Sequence, residues 1–127
     1  MLKILFTGIA ISTLALGSLG AFAAATEPAK MGTTSMGKVW VDAKGMTLYT
    51  FDKDKADKSA CNDKCATEWP PFMVADGATA TGEWTIVVRD DATKMWAYDG
   101  HPLYTFLDDK KAGDATGDGK DGFHLAK

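Results

Sequence analysis

Two cysteines, Cys61 and Cys65, are the residues whose types and spacing most directly invite chemistry in this 127-residue chain. At this spacing on a helix the Cα atoms lie about 6 Å apart, near the upper limit for a disulfide. In an exported protein a disulfide is the usual state of such a pair. As free thiols the same residues would favour Cu(I) or thiol-redox chemistry, with His101 or His124 as a further copper ligand. The sequence predicts a Cys61–Cys65 disulfide, and copper binding or thiol redox is the alternative.

A pattern of one tyrosine, one phenylalanine and one aspartate occurs twice, as Tyr-x-Phe-x-x-Asp. Its members are Tyr49, Phe51 and Asp54 in the first copy and Tyr104, Phe106 and Asp109 in the second. Residues two apart in a strand share a face, so each Tyr and Phe should enter the core together. The Asp falls past the strand end, where its carboxylate can accept backbone N–H groups of the turn. We favour this structural role over the alternative, a symmetric ligand site built from the paired Tyr and Asp side chains.

The remaining polar residues give weaker signals. Asp114, Asp118 and Asp121 lie among glycines, but their spacing and the missing closing Glu do not match a calcium-binding EF-hand loop. Neither histidine has a recognisable nucleophile or acid in a catalytic order. We therefore predict no enzyme activity, no metal site and no cofactor, except for copper under the alternative above.

An internal repeat is the strongest organisational signal. Residues 45–54 align with residues 100–109 without a gap, and six of the ten positions are identical, which is the signature of a duplicated structural unit. The repeats are expected over about residues 38–76 and 83–127. They predict two antiparallel hairpin units related by a pseudo-twofold axis.

The elements that must position these residues are short strands. Alternating, β-branched and aromatic residues favour strands throughout the second half of the chain. Ser59 as N-cap predicts a short helix that runs to Thr67 and stops before the prolines at 70–71. The fold class is therefore all-β with one short helix. The predicted strands are hairpins over 38–51 and 84–98 and single strands at 103–106 and 122–125.

The N-terminus has the pattern of an export signal. A basic start, an apolar run over 4–19 and small residues before the processing site predict a cleaved signal peptide over 1–23. Residues 24–37 are small and polar without a period, so a flexible leader is expected before a single domain over 38–127. No cysteine lies directly after the apolar run, where a lipid would be attached, so no lipid anchor is expected.

At the two copies of the Tyr-x-Phe-x-x-Asp motif, the chain resembles a predicted secreted or lipoprotein repeat family that carries a Tyr-x-aromatic-x-x-Asp motif. The flanking patterns are similar as well: the cysteine pair leads into Trp69-Pro70-Pro71, and the chain ends in Gly122-Phe123-His124-Leu125. The resemblance covers roughly residues 38–125. It implies an exported protein of repeat architecture, and it implies no particular chemistry.

Composition agrees with a single globular domain. Hydrophobic residues make up 46% and charged residues 24% of the chain, which are ordinary values. The net charge of −3 does not favour nucleic-acid binding. We predict a non-catalytic envelope protein, periplasmic or secreted and not inserted in the membrane after signal removal. It would act as a binding or structural module for an unknown envelope component or small ligand, and a periplasmic copper or thiol-redox protein is the alternative.

Overall fold

The structure, a computed structural model, describes residues 27–127. Within that range the chain is β-rich with one short helix, as predicted. The signal peptide predicted over 1–23 lies outside the described residues. The elements are β1 (Lys30–Thr34), β2 (Gly37–Val41), β3 (Tyr49–Phe51), α1 (Lys64–Glu68), β4 (Trp84–Val88), β5 (Lys94–Tyr98), β6 (His101–Pro102) and β7 (Phe123–Leu125).

The strands form three antiparallel sheets. Strand β1 pairs with β2, β3 pairs with β7, and β4, β5 and β6 follow one another in a three-stranded sheet. The pairing of β3 with β7 joins the first half of the chain to its C-terminal end. Among the described residues, no helix is long and apolar enough to cross a membrane.

The predicted flexible leader was wrong for residues 30–34, which form β1. Lys30 lies opposite Val41 and Thr34 opposite Gly37, so a two-residue turn connects the strands. Gly32 packs against Val41, where a Cβ would approach the valine Cγ2 to 2.7 Å. Gly32, one of the small residues that suggested a linker, is therefore required by close packing against β2.

The hairpin predicted over 38–51 is shorter than expected. The Asp42 carboxylate accepts the backbone N–H groups of Lys44 and Met46, both at 2.9 Å, which is the turn chemistry that aspartate favours. Val41 then bridges to Thr47. Beyond this point the chain leaves β2, and β3 pairs with β7 instead.

The hairpin over 84–98 is confirmed, with Trp84 opposite Tyr98 and Val88 opposite Lys94. Asp99 and Gly100 follow with φ values of 51° and 81°, the pair of left-handed residues that a type I′ turn requires. The strand predicted at 103–106 was wrong, because the regular strand β6 lies before it at residues 101–102 and Tyr104 forms only isolated bridges, to Tyr49 and Pro71. The strand at 122–125 is confirmed as β7.

The predicted helix is also shorter, because α1 begins after Asp63 and not at Ser59. The Ser59 hydroxyl does not cap the helix. It lies 2.6 Å from the hydroxyl of Tyr104 and accepts the backbone N–H of Cys61 at 3.3 Å. Ser59 thus makes its hydrogen bonds in the core, and the Cys61–Cys65 pair spans the turn between Ser59 and α1.

Four aromatic rings stack through the centre of the larger apolar cluster. Phe51 stacks on Phe123, Phe123 on Trp69 and Trp69 on Phe106, with centroid separations of 4.2, 3.9 and 4.1 Å. The two motif phenylalanines therefore form the two ends of one stack. Such stacking adds to the stabilisation that burial of the rings provides.

Candidate functional site

The two motif copies meet at their tyrosines. The backbone N–H of Tyr49 donates to the carbonyl of Tyr104 at 2.7 Å, and that of Tyr104 donates to the carbonyl of Tyr49 at 2.9 Å. Neither tyrosine is exposed to solvent. The motif strands thus lie side by side and antiparallel at this point, and both phenol groups enter the same core.

The motifs exchange their polar partners. The Tyr49 hydroxyl donates to Asp109 Oδ2, and the Tyr104 hydroxyl donates to Asp54 Oδ2, each at 2.7 Å. Each tyrosine therefore binds the aspartate of the other copy. Hydrogen bonds to a charged acceptor are stronger than neutral ones, so two such bonds link the halves of the chain.

Asp109 is almost fully enclosed. Its Oδ1 accepts the backbone N–H of Thr116 at 2.8 Å and the hydroxyl of the same residue at 2.7 Å. The Tyr49 oxygen in turn accepts the backbone N–H of Gly117 at 3.1 Å. A Cβ at Gly117 would lie 2.6 Å from Trp69 Cη2, so only glycine fits. Burial, and then the hydrogen bond to Asp109, raise the pKa of Tyr49 well above its usual range.

Asp54 has a more open setting. Its Oδ1 accepts the backbone N–H of Ala60 at 2.6 Å, and the residue is half-buried. Desolvation raises the pKa of Asp54, and the hydrogen bonds from Ala60 and Tyr104 oppose that shift. Burial likewise raises the pKa of Tyr104. Each motif aspartate thus accepts one backbone N–H and one tyrosine hydroxyl, which is the structural use of the motif.

A buried arginine extends the second pair. Arg89 Nη1 donates to the Ser59 hydroxyl at 3.0 Å, and Nη2 donates to the Cys61 carbonyl at 2.7 Å. The Tyr104 hydroxyl uses its hydrogen in the bond to Asp54, so it must accept the hydrogen bond from the Ser59 hydroxyl. Ser59 in turn accepts a hydrogen bond from Arg89. A chain of hydrogen bonds therefore runs from Arg89 through Ser59 and Tyr104 to Asp54.

Arg89 is an unusual cation because its side chain is only 2% exposed, and the Nε–Asp91 Oδ1 separation of 3.8 Å is too long for a hydrogen bond. Nε has no hydrogen-bond partner among the described residues. A buried charge normally needs a paired opposite charge, so the carbonyl and hydroxyl acceptors near the cysteines are essential here. Arg89 was not among the residues predicted from the sequence. The available signal was its spacing two residues after Val87, which places both side chains on the same buried face where β4 ends.

The cysteines form the expected disulfide, with an S–S distance of 2.01 Å and a Cα separation of 5.2 Å. Metal binding needs thiolates, so copper binding by these cysteines would require reduction of the disulfide. His124 Nε2 lies 2.9 Å from Asp52 Oδ2, and His101 lines a cleft of about 270 Å³ with Trp40. Within residues 27–127, no three His, Cys, Asp or Glu side chains form a group that could hold a metal.

The aspartates of the C-terminal loop serve the backbone. Asp114 Oδ2 accepts the N–H groups of Lys110 and Lys111 at 2.9 and 3.1 Å. Asp118 Oδ1 accepts the N–H of Leu125 at 3.1 Å, and Asp121 has a positive φ of 51°. These residues shape the long loop that brings β7 to β3.

Comparison with known proteins identifies a family. Residues 30–73 and 85–124 each match the model of the Lipoprotein_15 family, described as a secreted repeat of unknown function. The chain belongs to this family. The two Lipoprotein_15 segments contain one motif copy each. The first segment begins with β1, which lies in the region predicted as a flexible leader. No curated protein and no solved structure matches the chain.

Proposed function

We propose that the protein is an exported, non-catalytic module of the cell envelope, periplasmic or secreted, that binds or structurally supports another envelope component. The observation that carries the proposal is the exchange of hydrogen bonds between Tyr49 and Asp109 and between Tyr104 and Asp54. These are the side chains that a ligand site in the motif would need. Because they satisfy one another inside the core, the motif joins the repeats and leaves contact with partners to the surface.

Family membership supports export, since the family is described as secreted. The disulfide supports the same location, because such bonds persist in oxidising compartments. The test is intact-mass spectrometry of the chain from fractionated cells. We expect a mature form beginning near residues 24–26 and two hydrogens lighter than its reduced form. An unprocessed N-terminus, or two alkylatable thiols in native envelope protein, would contradict the proposal.

The structural use of the motif has its own test. Asp54→Ala and Asp109→Ala should lower the midpoint of denaturant unfolding. Asp108→Ala, a neighbouring exposed residue for which the structure shows no hydrogen bond, is the matched control and should not. If the motif variants unfold like the natural protein but lose a partner captured from envelope extract, the motif is a ligand site and this part of the proposal is wrong.

The copper alternative is tested by anaerobic Cu(I) titration of the oxidised protein against a strong chelator. We expect no competition, because the disulfide occupies both sulfur atoms. Stoichiometric binding that is lost in the Cys61→Ser/Cys65→Ser variant would favour a periplasmic copper protein.

A further inference from the structure

Strand β4 is an outer strand of the three-stranded sheet. Four of its five residues are β-branched and none is charged. An outer strand of this kind presents backbone donors and acceptors to which another strand can be added. Natural proteins usually protect such an edge with lysine, proline, a bulge or a covering loop.

The hydrogen-bond register shows which backbone groups face outward. Arg89 N donates to the Thr93 carbonyl at 2.7 Å, and Asp99 N donates to the Glu83 carbonyl at 2.9 Å. Residues alternate between facing the partner strand and facing away from it in an antiparallel pair. The even-numbered residues of β4 therefore face away from β5.

Only the first of those outward residues has a partner. Trp84 exchanges backbone hydrogen bonds with Thr81 at 2.9 and 3.2 Å. For Ile86 and Val88 the described part of the chain shows no hydrogen bond to the outward backbone groups. The Val88 side chain is 65% exposed. Two donors, two acceptors and one apolar side chain are thus available over residues 86–88.

Strand β1, an outer strand of the separate β1–β2 sheet, differs from β4 in the expected way. It carries the charged and exposed Lys30 and the half-buried Gly32, features that discourage pairing at an edge. Its outward positions are Met31 and Thr33, because Trp40 on β2, which lies opposite Met31, faces away from β1 to donate to the Ala126 carbonyl at 2.8 Å. The β1 edge is therefore a matched control for β4.

Charge determines which occupant suits the β4 edge. Glu83 precedes the strand, Asp90 and Asp91 follow it, and Asp57 accepts the Thr85 hydroxyl at 2.7 Å beside it. Two basic residues form ion pairs here, Lys58 with Asp90 at 3.9 Å and the buried Arg89 with Asp91 at 3.8 Å. Lys94 lies opposite Val88 on β5, so the four acids still outnumber the basic residues around the edge. Two copies of β4 paired antiparallel would bring Glu83 of each close to the aspartates of the other, and like charges in opposed strands are destabilising.

We propose that the free edge of β4 binds an extended, basic polypeptide segment, which adds to the β4-β5-β6 sheet as a fourth strand. Backbone hydrogen bonds to Ile86 and Val88 provide the affinity that β-strand addition gives. The acids at both ends of β4 select lysine- and arginine-flanked segments over acidic ones. This inference rests on the proposed role as a binding module and names the class of partner.

The test uses a synthetic peptide, Lys-Lys-Val-Thr-Val-Thr-Val-Lys-Lys, and its counterpart in which glutamate replaces every lysine. Amide hydrogen exchange, followed by NMR on the oxidised protein, reports on each backbone N–H. Saturating basic peptide should slow exchange at Ile86 and Val88 about tenfold or more, while Thr33 is unaffected. Affinity should fall as salt is raised, because the flanking charges are exposed. The acidic peptide should not bind.

Val88→Pro removes one outward donor without removing a bond to β5, a position where an edge strand tolerates proline. We expect about tenfold weaker binding, and no change for the control Thr33→Pro. If the proline variant does not fold, Asp90→Asn/Asp91→Asn keeps every backbone group and should weaken binding of the basic peptide several-fold.

Absence of protection at saturating peptide, equal binding of the acidic peptide, or unchanged binding by these variants would overturn the inference. Protection of Ile86 and Val88 that depends on protein concentration without peptide would also overturn it, because a second copy would then be the occupant. None of these results bears on export or on the motif, which intact mass and the aspartate variants test separately.

Discussion

The two Tyr–Asp pairs share one motif and differ in everything that surrounds them. Tyr49 and Asp109 are enclosed by a loop that supplies two backbone N–H groups and a hydroxyl, and Asp109 is 5% exposed. Tyr104 is as fully buried as Tyr49, but its partner Asp54 is only half-buried, and this pair connects through a serine to a buried arginine. Both pairs keep the same 2.7 Å bond.

The difference shows that the repeated residues determine the Tyr–Asp hydrogen bond. The loops outside the motif determine how far each aspartate is buried and which other groups it binds. The Asp109 carboxylate accepts one backbone N–H and two hydroxyl groups, all from its own loop and from Tyr49. The other belongs to a network that reaches the disulfide, because Arg89 donates to the Cys61 carbonyl. Substitutions should therefore affect the two pairs unequally, although the sequences of the two motif copies are nearly the same.

The largest expected effect is at the two phenylalanines. Phe106 is buried at 7% exposure, and Phe106→Ala should lower the free energy of unfolding by about 3–5 kcal/mol. Phe51 is half-buried, so Phe51→Ala should cost about 2 kcal/mol, since less apolar surface is lost. Urea unfolding of both variants measures the difference. Equal losses would show that the two halves are more alike than their burial indicates.

The aspartates come next. Asp109→Ala leaves the donors of Tyr49 and Thr116 without their acceptor in a closed site, and should cost about 2–3 kcal/mol. Asp54→Ala should cost about 1 kcal/mol, because Asp54 is half-buried and water can enter where its carboxylate lay, and because desolvation already disfavours the ionised form of Asp54. Denaturant melts at pH 7 compare the two. A larger loss of unfolding free energy in Asp54→Ala than in Asp109→Ala would mean that the hydrogen-bond network with Arg89 stabilises the fold more than the enclosed Asp109 site does.

Loss of the disulfide should act on one pair only. Opening a loop this short should cost about 2 kcal/mol in the chain-entropy model. The loop also holds the carbonyl that Arg89 binds, so amide exchange in Cys61→Ser/Cys65→Ser should accelerate around Tyr104 and Ala60 and remain slow at Gly117. Reductant should change the natural protein in the same way and leave the double variant unaffected. Uniform acceleration would mean that the disulfide stabilises the whole fold equally.

The smallest effect is a pH dependence in alkali. Tyrosine in an unfolded chain titrates near pH 10, whereas burial raises the pKa of both Tyr49 and Tyr104 in the folded protein. The unfolded chain therefore loses protons that the folded chain retains, and stability falls as the pH rises above about 10.

Urea melts between about pH 9 and 11 should show this slope, and Tyr49→Phe and Tyr104→Phe should each reduce it. Absorbance of tyrosinate should show these two phenols ionising only as the protein unfolds. Ionisation of either phenol in the folded protein would show that its site is more open than the structure indicates.

Local signals made part of the fold predictable. The hairpin over 84–98 follows from β-branched residues on either side of a turn, and β7 from a short apolar run after glycine-rich sequence. The repeat also located the motif strands. The partner of β3 was not predictable, because residues 46–51 follow β2 closely and the sequence favoured the nearest pairing. Residues far apart in the chain supply the competing hydrogen bonds.

The site was predictable to the same degree. Tyr49, Asp54, Tyr104 and Asp109 were identified by repetition, and the role of each carboxylate in accepting backbone N–H follows from its place after a strand. The exchange of partners depends on the tertiary arrangement and has no signature in either copy. Arg89 was missed because a charged residue at the end of a strand normally faces water, and only the arrangement of Ser59 and the Cys61 carbonyl makes its burial tolerable.

The pairing of β3 with β7 has a consequence for the order of events in folding. Phe51 and its partner Phe123 are more than seventy residues apart, so a chain synthesised from its N-terminus cannot form the β3–β7 pairing until β7 has been made. Contacts between distant residues carry a cost in loop-closure entropy and slow folding. The hairpins β1–β2 and β4–β5 use neighbouring residues and can form earlier, so the β3–β7 pairing should be the later step that joins the two repeats.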